Sequence, residues 1–214
     1  MDCPRKGYVR LPPIKSLQSN CVQPLTFVEN RILVMKEALV CSFIGLAKFC
    51  LAGLVTLFFR LITPLIGLPN ATPLMATELA SAKAYGPWIG GLYGMFSMVI
   101  LDAVMGKLES WTIATSLCYG VVGVLGGYYL GRRRASIGNF LLVSIVGTLF
   151  FDLVTGILLA PLHGTPMMIA AIGQIPFTLR HLGWNMFFAC FAPWFYREIM
   201  ANISLELRYG LKLA

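Results

Sequence analysis

The chain alternates between long apolar runs and short polar or turn-forming connections. A helix needs about 20 residues to cross the apolar part of a bilayer, and five runs reach that length. A sixth run is shorter and more polar. In chain order, the runs cover residues 38–60, 71–83 (the weak one), 86–106, 111–131, 138–160 and 178–200. The pattern predicts an all-α polytopic membrane protein, a six-helix bundle with a short or broken second helix.

The segment at 64–78 breaks the apolar pattern, although it lies between two apolar runs. It contains Pro64, Pro69, Pro73 and Gly67, followed by Glu78. Lipid cannot hydrogen-bond the backbone groups that such turn-formers leave open, so the segment must be enclosed by protein or line a wet cavity. We therefore expect a site enclosed within the bundle.

Composition agrees with this class. The chain has 214 residues, of which 57% are hydrophobic and 12% charged, about half the charged fraction of a soluble domain. We expect a basic N-terminal extension at 1–35, one membrane domain at 36–200 and a short tail at 201–214. No cleaved signal is expected, because the first apolar run is interrupted by Lys48.

The net charge of +8 reflects basic residues that sit beside the apolar runs, where topology and anionic lipid explain them without nucleic acid. Lysine and arginine cluster in the extension, at Lys83, at 132–134 and in the tail. This distribution predicts a multi-pass protein of the cell membrane, with six crossings and both termini in the cytoplasm.

Small residues recur at helical spacing in three runs. Gly86, Gly90 and Gly94 share one face of the third run, and Gly123, Gly127 and Gly131 share one face of the fourth. Such stripes let two helices approach closely, so we expect these runs to meet each other or another subunit there. Ala38 and Ser42 form a smaller patch on the first run, a candidate for docking a partner.

Two ionisable residues lie at membrane depth in neighbouring runs. Lys48 is near the middle of the first run and Glu78 near the middle of the second. An unpaired charge at that depth is expensive, so we expect a Lys48–Glu78 ion pair. The pair either fixes the register of the two helices, which we favour, or contacts a solute.

Other polar groups gather toward the ends of the last three runs. Thr112, Thr115 and Tyr119 share a helical face after Trp111, while His181 and Asn185 share another. The connection at 161–177 is too apolar for a solvated loop and is expected to form a lid or re-entrant piece. The spacing of histidines and carboxylates predicts neither a metal site nor a catalytic set, and no Walker-type glycine loop is present.

Four segments resemble the substrate-binding S components of energy-coupling factor (ECF) transporters. They are 84–94 (AYGPWIGGLYG), 109–120 (ESWTIATSLCYG), 151–156 (FDLVTG) and 174–181 (QIPFTLRH), with Asp102 between the first two. The resemblance covers about residues 38–200.

The resemblance implies a membrane subunit that captures a vitamin or related micronutrient from outside and performs no chemistry on it. Its partners would be a membrane T component and ABC ATPases, which alone would bind ATP. Transferred to the matching segments, the implied pocket residues are Asn70, Trp111, Thr115, Tyr119, Asp152, Gln174, Arg180, His181 and Asn185. A family member often docks through alanines four residues apart on its first helix, whereas this chain has Ala38 and Ser42 there.

Two other functions fit the same pattern of runs. One is a solitary facilitator or channel that uses the same cavity. The other is a membrane scaffold similar to the MreD proteins of cell-wall assembly, which has no solute.

Overall fold

The computed structural model describes residues 25–68 and 71–200, and the side chains within 43–68 and 71–198. This part of the chain forms an all-α bundle of six helices without a β-strand, as predicted. The helices are α1 (Leu25–Leu65), α2 (Leu74–Tyr85), α3 (Pro87–Val104), α4 (Ser110–Gly131), α5 (Ile137–Asp152) and α6 (Met167–Trp194). A π-helical turn, Leu153–Leu158, continues α5, and another, Phe195–Met200, continues α6.

Four helical stretches among the described residues are long and apolar enough to cross a membrane. They are Phe43–Leu65, Pro87–Val104, Ser110–Gly131 and Ile137–Leu158. Their large apolar side chains point outward as well as inward, as expected where the surroundings are lipid. The chain is a polytopic membrane protein.

Helix α2 is the centre of the bundle. Every residue from 71 to 82 is buried, and α2 contacts each of the other five helices. Its 12 residues span only about 18 Å, well short of a bilayer. The prediction of a short second helix enclosed by the others is confirmed.

Helices α3 and α4 pack on α2 and on each other through glycines, but not with the pairing expected from the sequence. Gly90 and Gly94 face Ala82 and Glu78 of α2 rather than α4. The approach to α4 runs instead through Gly91, which the sequence did not single out and which meets Gly120 and Gly123.

The remaining glycines of the two predicted stripes have different surroundings. Gly123 also meets Glu78, and Gly127 lies against Ala82 and Pro87. Gly86 forms the turn between α2 and α3, with a φ of 103° that glycine adopts readily. A Cβ added at Gly131 would have no neighbouring atom within 4 Å.

Helix α1 lies at the edge of the bundle and packs mainly on α2 and the π-helical turn Phe195–Met200, leaving much of its apolar surface exposed. The helix begins at Leu25, so it includes the last part of the segment predicted to be an irregular extension. Ala38 and Ser42 belong to this helix, but their side chains lie outside the described residues.

Helix α6 begins eleven residues before the predicted sixth run, because the chain continues as a helix through Pro176. The expected lid at 161–177 is therefore mostly helical. Only a 3₁₀ turn, Ala160–His163, and residues 164–166 connect α5 with α6. Proline is tolerated within membrane helices, so it marks a helix end there less reliably than in soluble proteins.

The glycine contact between α3 and α4 generates a stability prediction. A Cβ at Gly91 would lie 2.8 Å from the carbonyl oxygen of Gly120, which cannot move aside without disturbing α4. We expect Gly91→Ala to lower the free energy of unfolding by about 1–3 kcal/mol, measured by thermal unfolding in detergent. In the matched control Gly183→Ala, the added methyl group meets open space on α6, and stability should hold or rise by up to about 1 kcal/mol. Equal effects of the two substitutions would contradict this account of the contact.

Candidate functional site

A cavity of about 530 Å³ lies at the end of the bundle where α1, α3 and α5 end and α2, α4 and α6 begin. We call this the cavity end. Thr72 and Leu74, at the start of α2, are among its lining residues. The cavity exists because α2 is too short to fill the bundle along its whole length.

The rim of the cavity is charged. Arg60 from α1, Asp102 from α3, and Lys107 and Glu109 from the α3–α4 connection all line it. Arg60 Nη2 lies 3.9 Å from Asp102 Oδ1. Two basic and two acidic side chains balance one another, so the rim favours neither a strongly anionic nor a strongly cationic solute.

The start of α4 is fixed by hydrogen bonds at this rim. The Thr112 hydroxyl donates to Asp102 Oδ2 at 2.8 Å, and the backbone N–H of Glu109 donates to the Thr112 oxygen at 3.3 Å. The Glu109 side chain accepts from the backbone of Thr112 in return, which completes a capping box. Asp102 and Glu109 thereby join α3 to α4.

Aromatic rings form one continuous wall of the cavity. The ring centroids of Tyr119 and Phe151 are 4.9 Å apart, those of Phe151 and His181 are 5.6 Å apart, and those of Phe177 and His181 are 5.5 Å apart. Trp111 also lines the cavity, and it contacts the ring of His163 at 4.9 Å. A wall of this kind offers flat apolar surface to a solute.

A buried carboxylate orients the histidine in this wall. Asp152 Oδ1 lies 2.8 Å from His181 Nδ1, and both side chains are almost fully buried. With a carboxylate at Nδ1, that nitrogen carries the proton and donates it, so Nε2 is the ring nitrogen left to interact with a solute. Asp152 thus acts on the cavity through His181.

The cavity also contains neutral polar groups. Gln174 of α6 packs its amide against Gly156. The hydroxyls of Thr115 and Thr155 donate to backbone carbonyls of their own helices, which leaves their oxygens as acceptors. Few polar groups on a largely apolar surface are typical of small-molecule sites.

The structure brings five of the predicted pocket residues to the cavity: Trp111, Thr115, Tyr119, Gln174 and His181. Asp152 lies directly behind His181. Asn185 lies outside the cavity lining and donates to the Thr148 hydroxyl at 2.9 Å. Asn70 lies outside the described residues.

Arg180 is not part of the cavity, contrary to prediction. It is exposed on α6, although its neighbour His181 is buried. Successive residues on a helix point about 100° apart, so both side chains cannot face the cavity together.

Several lining residues were missed by sequence reasoning. Arg60 and Lys107 were not singled out, and Asp102, Phe151 and Phe177 appeared only among the residues that carry the resemblance. Their positions along the chain could have indicated them, since each lies near the end of an apolar run that reaches the same side of the membrane domain. The ring wall depends on helix rotation, which has no clear signature in the sequence.

The predicted Lys48–Glu78 ion pair does not form. Thr56 of α1 lies beside Thr77 of α2, with hydroxyl oxygens 3.3 Å apart. Further along, Phe49 contacts Tyr85 at the end of α2. Lys48 is therefore level with the end of α2, about two turns from Glu78, because the two helices are offset relative to the prediction.

No group of three histidine, cysteine, aspartate or glutamate side chains within the described residues is arranged to hold a metal ion. No protein-family model, curated protein or solved structure matches the chain.

The Thr112–Asp102 hydrogen bond generates the second prediction. Thr112→Val removes the hydroxyl, which donates to a buried carboxylate and accepts from the Glu109 N–H. We expect the free energy of unfolding to fall by about 1–2 kcal/mol in a thermal unfolding experiment. Thr165→Val, at an exposed position in the α5–α6 connection, is the control and should change stability by less than about 0.5 kcal/mol. A silent Thr112→Val would show that this bond does not hold the rim together.

Proposed function

We propose that the protein captures a small solute in the cavity, as the substrate-binding subunit of an ECF-type importer. The observation that supports this most directly is the cavity itself, with a charged rim, an aromatic wall and a histidine held by a buried carboxylate. A volume of about 530 Å³ lies within the range of sites for drug-sized ligands. A vitamin or related micronutrient has this size.

Each part of the cavity has a role in this proposal. The rings of Tyr119, Phe151 and Phe177 take up the apolar part of the solute. His181 and Gln174 form directional hydrogen bonds with its polar edge. The balanced rim holds a polar tail without requiring a net charge.

The direction of capture follows from basic residues at the opposite end of the bundle. Arg132, Arg133 and Arg134 lie there, and Lys83 donates to the carbonyl oxygens of Leu130 and Arg133 beside them, each at 2.7 Å. By the positive-inside rule this end belongs in the cytoplasm, together with both termini. In a cell membrane the cavity then opens to the outside.

Delivery of the solute falls to partners in this proposal. A T component in the membrane and ABC ATPases supply the energy, and the chain acts as a binding protein without catalysis. The exposed apolar surface of α1 is the surface offered to the T component, since α1 is the helix least covered by its own bundle. Genes for such partners beside this one would support the assignment.

Solute capture is tested by native mass spectrometry of the mildly purified protein, followed by a panel of vitamins. We expect a co-purified small molecule or a mass shift with one member of the panel. Gln174→Leu removes a polar group from the cavity and should weaken binding at least tenfold. Arg180→Gln is the matched control on the same helix, since its side chain is exposed, and should bind as the wild type does.

Two results would count against the proposal. An empty wild-type protein that binds nothing in the panel would favour the MreD-like scaffold. Binding that survives in Gln174→Leu but is lost in Arg180→Gln would place the site elsewhere on the protein.

A further inference from the structure

Glu78 is a buried carboxyl group that the cavity does not use. It lies in the middle of α2, is completely inaccessible, and is not among the lining residues. Its Oε1 lies at Gly94 of α3 and Gly123 of α4, where a Cβ on either glycine would overlap it. Neither of its oxygens has a hydrogen-bond partner of good geometry among the described residues, although the Gly123 backbone lies beside the carboxyl group.

The immediate surroundings of Glu78 supply hydroxyl groups. Tyr93 of α3 and Tyr119 of α4 lie within electrostatic range of it, and both are buried. The Tyr93 hydroxyl lies close to the hydroxyls of Thr56, Thr77 and Ser97.

The charged groups on the other elements around α2 are engaged elsewhere. Lys48 of α1 is level with Tyr85, as shown above, and His181 of α6 is paired with Asp152 of α5. At the cytoplasmic end proposed above, Lys83 of α2 itself binds backbone carbonyls and lies near the Tyr196 ring of the last π-helical turn. Arg60 of α1 lies 3.9 Å from Asp102 of α3, and neither of the two ion pairs found among the described side chains involves Glu78.

A carboxylate in this position cannot remain as a bare charge. Removal from water penalises the ionised form strongly, and the nearby Gly123 backbone offsets this penalty only in part. The glycines at 94 and 123 bring two helix backbones against the carboxyl group, so its position within the bundle is tightly enclosed.

We propose that Glu78 binds one monovalent cation, a proton or a sodium ion, within the closed bundle. As a proton site it is a neutral carboxylic acid; as a sodium site it pairs the carboxylate directly with the ion. Because Glu78 touches α2, α3 and α4 together, loss of the cation leaves a charge at their common contact and loosens these three helices. Cation binding is thereby coupled to the packing of the bundle, independently of any solute in the cavity.

The test is thermal unfolding of the purified wild type and Glu78→Gln, across a pH series and across a sodium series with choline chloride holding ionic strength constant. Glutamine is the neutral isostere, so it replaces the cation-bound state. If the ligand is a proton, the folded state binds one proton more than the unfolded state, and stability falls as pH rises. The wild-type unfolding constant then increases up to about tenfold per pH unit above the titration range of an unfolded glutamate.

If the ligand is sodium, the wild-type unfolding constant instead decreases up to about tenfold for each tenfold increase in sodium above the dissociation constant. In either case Glu78→Gln should fold, lose the response that the wild type shows, and be at least as stable as the cation-free wild type. Glu198→Gln, which changes an exposed carboxyl near the end of the described chain, is the control and should keep the full wild-type response.

Three results would overturn the proposal. One is a wild type whose stability changes with neither pH nor sodium in this manner. Another is an unchanged response in Glu78→Gln. The third is a Glu78→Gln protein that fails to fold or is less stable than the wild type under every condition, because this would show that an ionised Glu78 is itself required.

Discussion

The structure depends on enclosing a twelve-residue helix on all sides. Helix α2 contacts every other helix, and its short length has two consequences. Its backbone N–H and C=O groups hydrogen-bond to one another within the helix, so it can lie at the centre of a membrane bundle without water. Past the N-terminal end of α2, no helix fills the centre of the bundle, and the cavity occupies that space. Residues 64–68, which precede α2, are exposed, contrary to the expectation that the whole segment 64–78 is enclosed, and burial begins only at Ala71.

Close packing around α2 relies on the absence of side chains at a few positions. Gly90, Gly94, Gly123 and Gly127 each present bare backbone to α2 or to the turn that follows it. Dispersion at short range replaces the hydrophobic driving force that helices lack in lipid. The same bare backbone admits the Glu78 carboxyl between α3 and α4, so tight packing and an enclosed acid arise from one set of glycines.

Properties that depend on runs of residues were predictable from the sequence, and properties that depend on relative position were not. Apolar length gave six helices and identified the short second one. The start of α6 was placed eleven residues too late, because residues 161–177 were expected to form a lid rather than a helix. The α1–α2 offset, which separates Lys48 from Glu78, and the rotation of α6, which turns His181 inward and Arg180 outward, are set by packing between helices. Local periodicity carries little information about either.

The carboxyl groups along the bundle differ in which neighbouring groups compensate their negative charge. Asp102, at the rim, has Arg60 and the Thr112 hydroxyl; Asp152, behind the cavity wall, has His181. Each therefore has a partner built into the fold. Glu78, enclosed by α3 and α4, has glycine backbone and neighbouring hydroxyls instead. Among the described residues, Glu78 thus lacks the charged or polar side-chain partner that Asp102 and Asp152 have. In our proposal a small cation supplies the compensating charge, because the carboxyl group is enclosed between two helix backbones.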